Sequence, residues 1–441
     1  MMRSQTLARG LIVLTVGMFV LAACGPQATK TPAPLVVTVY GVGTPLPTGI
    51  KVATPTAAPL TSVAPTAVPT VPGATAIPVY GPEAYPDNIN PLTGEAVDPA
   101  KLNRMPVAIK ISNFPYSVRP QFGLSLADVV FEHSAEAGLT RFTAVYLQND
   151  AAKVGSIRSA RFIDAEIAPM FGALLVTSGS SLGTMAHLRS NAWFAGANLW
   201  RLVSEETHYT CPPLCRETPD DTNTLFANTE TLRTATLSNG SNNRADLGGW
   251  AFSPQVPTGA AVENLLIDYS LAAHVQWQYV AASGRYLRWQ EKDSSGAMTV
   301  HTDALTNVPV TAANVVLLQV NQVNNFVPED FRDGGNCGLE IQMWTIGPAK
   351  IYRDGVMVEG RWRRDETTNW KLRLEDALTF QSIPLKPGNT WFGVVGLNAV
   401  TALNGATYSV QHKVVDTKYS CPIPPTETPD PNATPTETPT P

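Results

Sequence analysis

The sequence predicts an α+β protein of layered architecture, in which a mixed α/β first half packs with a mainly antiparallel β second half. Three observations carry this. Between residues 107 and 189, short runs rich in Val, Phe and Tyr alternate with stretches of helical period. From about residue 259 onward, short strand-like runs follow one another with turn signals between them and no helical stripe. The Thr/Pro/Ala-rich stretches at both ends are too poor in apolar residues to bury a core, which confines the ordered chain to the middle of the 441 residues.

In the first half, residues 107–111 read as a strand after Pro106, and residues 128–133 and 142–148 as two more. Residues 159–171 fit a helix, with Ala160, Ile163, Ile167 and Met170 or Phe171 on one stripe and Arg161, Asp164 and Glu166 off it. A buried strand at 173–177 and a helix at 182–189 follow, and 207–249 is polar and turn-rich. The second half gives strands at 275–280, 286–290, 298–301, 315–322, 340–345, 349–352, 356–363, 370–374 and 390–395. Asp354-Gly355 marks a tight hairpin turn.

Arg3 and Arg9 precede an apolar run over 11–20, and Leu21-Ala22-Ala23-Cys24 closes it. The run is too short for a permanent span. The closing tetrapeptide resembles the bacterial lipobox, which makes residues 1–23 a signal peptide and Cys24 the lipidated residue. Residues 24–86 then read as a Thr/Pro-rich tether, reaching at most about 190 Å in polyproline form, and 422–441 as a similar tail. A net charge of -5 excludes a basic nucleic-acid footprint. Four further cysteines suit an oxidising compartment: Cys211 and Cys215 are close enough for a local bridge, and Cys337 with Cys421 would make the second, although four cysteines allow three pairings. Zinc-ligand spacing, phosphate-cradling loops and dinucleotide fingerprints are absent from the sequence, so no cofactor or metal is expected.

Asn90-Pro-Leu-Thr-Gly-Glu-Ala-Val, Arg119-Pro-Gln-Phe-Gly-Leu, Ala127-Asp-Val-Val-Phe-Glu, Glu136-Ala-Gly-Leu-Thr-Arg-Phe and Val154-Gly-Ser-Ile-Arg-Ser-Ala-Arg together resemble the YerB-like family of bacterial lipoproteins. The resemblance spans about 88–395. It implies an α+β fold in two parts, 88–258 and 259–419, and a lipoprotein setting, with no established activity. Members of that family commonly carry a His-Asn pair where this chain has Thr222-Asn223, so no role for that histidine transfers.

Arg158 and Arg161 stand three apart at the start of the 159–171 helix, where two cations are unfavourable unless an anion joins them. Ser159 can cap, and Arg119 and Arg141 add fork-shaped donors suited to phosphate or carboxylate. Asp128, Glu132, Glu136 and Asp164 are near in sequence, and an internal Arg–carboxylate network would use the same groups. The expected function is binding or scaffolding of an anionic envelope polymer or protein partner, from a lipid anchor on the extracytoplasmic face. A wall-active hydrolase or transferase is the alternative. It would use Glu132 with Asp128 or Glu136, or Ser181 within Gly179-Ser180-Ser181-Leu182-Gly183, a G-x-S-x-G pattern that needs a later His such as His274, His301 or His412 and an acid such as Asp268 or Asp303.

Overall fold

The computed structural model describes residues 78–205, 211–236, 243–330, 335–418 and 421. The signal peptide, Cys24, most of the tether and the 422–441 tail lie outside the described residues. In chain order the elements used below are β1 (Val107–Ser112), β2 (Val129–Ser134), β3 (Thr140–Tyr146), α1 (Asp164–Met170), β4 (Leu174–Val176), α2 (Leu182–Ser190), α3 (Thr229–Thr236), β5 (Asn264–Ser270), β6 (Ala273–Val280), β7 (Arg285–Glu291), β8 (Asn314–Val320), β9 (Gln322–Asp330), β10 (Asn336–Ile341), β11 (Thr345–Arg353), β12 (Val356–Arg364), β13 (Thr390–Gly396) and β14 (Thr407–Gln411).

Strands dominate, and the two halves share one sheet. Its order runs from the short strand Arg373–Glu375 through β12, β11, β8, β13, β2, β3, β1 and β4 to Leu202–Val203. β13, from the second half, lies between β8 and β2 and runs parallel to both. Pairing within the second half is mostly antiparallel; what departs from the expectation of two packed parts is that β13 joins the halves in one shared sheet. The seam is closed by side chains as well, for Phe131 stacks on Phe392 at 4.6 Å between ring centroids.

Side-chain alternation along each strand sends neighbours to opposite faces. Val107, Ile109, Val130, Phe142, Leu317 and Trp391 enter one core, where Leu265, Ile267, Trp277 and Tyr286 of a second, seven-stranded sheet meet them. Ala108, Phe131, Val145, Leu175, Val316 and Phe392 enter the other, where Ile167 and Ala168 of α1 and Met185 and Leu188 of α2 lie. Burial on both faces explains why β1, β2 and β13 contain no exposed residue.

Several boundaries differ from the sequence reading. The ordered chain begins at least by residue 78, not 88: Tyr80 pairs with Phe252, and Tyr85 Oη donates to the Trp250 carbonyl at 2.5 Å. Two tyrosines give this end of the tether the apolar surface its Thr/Pro stretch lacks. The helix expected at 159–171 starts only at Asp164. Pro169 lies inside it and removes the donor that the Ala165 carbonyl would receive; Asn191 Nδ2 donates to that carbonyl instead, at 3.0 Å. Residues 370–372 are not strand, because a capping box between Asp365 and Thr368 turns the chain and leaves Asn369 and Trp370 left-handed. The Asp354-Gly355 hairpin forms as expected, both residues at positive φ.

A disulfide joins Cys211 to Cys215. Cys337 and Cys421 are thiols in contact: burial, with the hydrogen bond to Cys337, pushes the Cys421 thiol up to about 12. In an oxidising medium the two are expected to close into a second bridge with loss of both thiol hydrogens. Cys421→Ser should then lower unfolding stability by about 2–4 kcal/mol in urea titrations. Free thiols at both residues in protein secreted and denatured without reductant would contradict this.

Candidate functional site

The charged cluster assembles where β1, β2 and β4, which run in one direction, reach their carboxyl ends. Loops beyond such ends are the usual binding crevice of mixed sheets. Arg141, second residue of β3, lies opposite Ser112 at the end of β1. Glu136 follows β2. Arg158–Ala160 is a non-helical segment held between strand β1 and the loop after β4: Arg158 N donates to Lys110 O at 3.0 Å, Ala160 N to Gly179 O at 2.9 Å, and Ser178 N to Arg158 O at 3.1 Å. These bonds are why the residues do not start a helix. The expected arrangement of Arg158 and Arg161 at a helix N-terminus, capped by Ser159, is therefore corrected: Ser159 caps nothing, and its Oγ faces Ser178 Oγ at 3.5 Å.

Three of the four expected arginines converge. Arg161 Nε donates to Glu136 Oε2 at 2.5 Å, and its NH1 lies 3.7 Å from Glu329 Oε2. Arg158 NH2 donates to Asn223 Oδ1 at 2.8 Å, so the asparagine of the Thr222-Asn223 pair belongs to this site. Arg141 NH1 donates to the Ser159 carbonyl at 2.6 Å. Among the described residues no carboxylate lies within ion-pair distance of the Arg141 guanidinium, and Arg141, Arg158, Ser159 and Arg161 are all half-buried. Burial, then the neighbouring Arg161, brings Arg141 down to about 9.

Arg119 does not join them. Its Nε donates to the backbone and side-chain oxygens of Asn113, and its NH1 to the Glu291 carbonyl at 2.8 Å, with Glu291 Oε2 3.7 Å away. Two of the expected acidic partners also lie elsewhere. Asp128 accepts from Asn90 Nδ2 and the Leu147 amide, and Glu132 pairs with Arg288 at 2.9 Å. Both are sealed in the core. Glu136 alone of the three meets the arginines.

The acid the sequence reading missed is Glu329, carried in on β9 from far along the chain. No local period could have announced it, since β9 contains Asn324-Asn325 and Pro328 and pairs with β10 through two bulges. Glu329 accepts from Thr184 Oγ1 and Ser181 at the start of α2, so an internal carboxylate fills that helix end. The pair separates electrostatically. Burial raises both carboxyls, but Arg161 and Arg141 together hold Glu136 below its ordinary value, while Glu329 stays above it, with Glu136 adding to the rise.

Beneath the site, Lys110 Nζ contacts Asp164 Oδ1 at 2.8 Å, His133 Nε2 at 2.7 Å and Thr143 Oγ1 at 3.1 Å, all buried. Burial lowers Lys110 to about 8; burial, then Lys110, lowers His133 to about 3. His412 falls to about 4 and His301 well below its ordinary value, again chiefly through burial. Between those values and 6.5 the unfolded chain takes up protons that the folded chain refuses, so stability falls as pH falls. Asp128, raised by burial to about 6, acts the opposite way below that pH. Glu329, also raised, acts with Asp128, and three histidines outweigh the two acids. The unfolding free energy from urea titrations is expected to drop from pH 7 to pH 5, by about 1.4 kcal/mol per pH unit for a net difference of one proton; an unchanged unfolding free energy contradicts it.

Ser181 Oγ accepts from Thr184 N at 3.1 Å as the N-cap of α2. Among the described residues no histidine hydrogen-bonds to it: His301 is held by Arg288, His412 by Ser134 and the Gly396 amide, and His274 by Glu291. The serine-nucleophile arrangement is therefore not assembled. Among the described residues no group of three or more His, Cys, Asp or Glu is placed to hold a metal ion, and no helix is long and apolar enough to cross a membrane.

Residues 92–242 match the family described as "Protein of unknown function (DUF3048) N-terminal domain", and residues 265–392 match its C-terminal domain. The chain is 26% identical over 329 residues to "Putative lipoprotein YerB" of Bacillus subtilis (strain 168), covering 71% of this chain and 89% of that protein. The crystal structure of YerB from Bacillus subtilis superposes with a TM-score of 0.56 at 24% identity, over 70% of this chain and 96% of that one. That likeness establishes the fold.

Proposed function

We propose, from the premise that this chain belongs to the DUF3048 family, that it is a lipid-anchored envelope protein whose Arg141 site binds an anionic group, phosphate or carboxylate, of an envelope polymer or protein partner. Cys24 supplies the anchor and residues 24–77 the reach. The observation that carries the reading is Arg141 itself, a half-buried guanidinium that, among the described residues, hydrogen-bonds directly to a neutral carbonyl and to no carboxylate. Charge supports it: after burial, the Arg161 guanidinium is the largest influence on Arg141 and outweighs Glu136. Arg161 is internally neutralised and serves to orient Glu136, so the recognition role passes to Arg141, with Arg158 and the Ser159 and Ser178 hydroxyls beside it.

The full lipoprotein, immobilised, should retain phosphate-bearing polymers from an envelope extract, and Arg141→Gln should retain roughly tenfold less, the worth of one charge-assisted hydrogen bond. Equal retention by both proteins ends the proposal. One observation favours a second reading as a wall-glycan hydrolase: Glu136 and Glu329 are displaced in opposite directions, as an acid and a base require. In that case Glu136→Gln and Glu329→Gln abolish glycan cleavage by the wild-type chain; absence of cleavage by the wild type removes it.

A further inference from the structure

A cleft of about 790 Å³ that shares no lining residue with the Arg141 site opens between the C-terminal end of α1, the segment after α2, residues 243–246 and the turn after β12. Its volume falls in the range of small-ligand sites. Trp370 stands on its rim, 47% exposed. Asn369 and Trp370 both hold positive φ, 52° and 59°, a costly conformation for a large side chain. The turn is kept by Trp370 N donating to Asp365 O at 2.9 Å and by Arg364 Nε donating to Trp370 O at 2.9 Å. Backbone strain thus holds an indole ring out at the mouth of a cleft, where folding alone would favour its burial.

Inside, the Arg201 guanidinium lies 3.9 Å over the ring of Trp193 and 5.1 Å from that of Trp200, and its NH1 donates to the Trp193 carbonyl. Among the described residues no carboxylate is within ion-pair distance of it. The two acids of the cleft are already engaged, Glu166 with Arg364 at 2.5 Å and Asp246 with Lys371 at 2.8 Å. Pro169 and Met170 add an apolar wall. A half-exposed indole with the Arg364 guanidinium 5.6 Å from its ring, an apolar wall, polar edges and, among the described residues, two cations with no carboxylate in ion-pair distance, the preoriented Arg201 and the exposed Arg244, suit a ring that is apolar on its face, hydroxylated at its edge and negatively charged.

We propose that this cleft binds a saccharide carrying a carboxylate, its ring against Trp370 and its carboxylate on Arg201. The site is distinct from the Arg141 site and does not depend on it.

Calorimetric titration of the full lipoprotein with a tetragalacturonate, a neutral chitotetraose and a glutamate peptide tests it. The wild type is expected to bind the acidic tetrasaccharide more tightly than the neutral one. Trp370→Ala weakens both about tenfold, and Trp370→Phe, which keeps a ring, recovers part of the loss. With the Arg141 site, itself a carboxylate binder, disabled by Arg141→Gln in every protein compared, Arg201→Gln brings the acidic sugar to the affinity of the neutral one. Trp370 is exposed, so its variants report on binding even if Arg201→Gln disturbs the fold. No binding of either sugar by the wild type at about 1 mM, wild-type affinities in both Trp370→Ala and Arg201→Gln, or binding of the glutamate peptide in place of the sugars would overturn the proposal.

Discussion

Glu132→Ala is expected to destabilise the protein by about 3–5 kcal/mol, a large part of the 5–15 kcal/mol typical of a folded domain. Arg288 on β7 crosses from the second sheet into the core and is fully buried. Its NH2 donates to both Glu132 oxygens, at 3.0 and 2.9 Å, and its NH1 reaches His301 Nδ1 at 2.8 Å. The rings of Trp391 and Phe142 lie 4.9 and 5.3 Å from its central carbon, and Trp391 Nε1 donates to Glu132 at 3.2 Å. Removing the carboxylate strands a cation among aromatic rings with no route to water. Removing both charges is far milder: Glu132→Leu with Arg288→Met should recover most of the loss, because the desolvation cost of two ions disappears with their attraction. Urea titrations decide it, and a single variant within about 1 kcal/mol of wild type contradicts the account.

The second large effect is on cooperativity. A fragment ending at residue 258 is expected to show no cooperative unfolding, although it keeps β1 to β4 and α1 to α3. It lacks β13, whose Thr390, Trp391, Phe392, Gly393 and Val394 pair with Val129 to His133 of β2. It also lacks the sheet bearing Leu265, Ile267 and Trp277 that covers one face of the remaining strands. A bare edge and an uncovered apolar face favour association over folding. A sharp, reversible thermal transition in the monomeric fragment contradicts this.

The same seam explains what could be read in advance. Strands such as β1, β2, β12 and β13 were legible because their Val, Ile and Phe content is a local property, as was the Asp354-Gly355 turn. Which strand lies beside which is not local: nothing near residue 392 says that it stacks on Phe131. The 159–171 helix failed for a related reason. Its apolar spacing fits a helix, but Arg158–Ala160 bonds to Lys110 and Gly179, partners contributed by tertiary structure. The candidate site was half legible. Arg141, Arg158, Arg161 and Glu136 lie within 26 residues of one another and do converge. Arg119 departs because Asn113 and Glu291 hold it, and Glu329 arrives on a strand that Pro328 and two asparagines disguise.

The most direct test of the Arg141 site is its affinity for a polyglycerol phosphate chain, measured by calorimetry for wild type, Arg141→Gln and Glu329→Gln at one ionic strength. The predicted order is Glu329→Gln at least as tight as wild type, since a competing negative charge is gone, and Arg141→Gln about tenfold weaker than wild type. Indistinguishable affinities for wild type and Arg141→Gln, or a weakened Glu329→Gln, would contradict the claim that an unmatched guanidinium recognises the ligand.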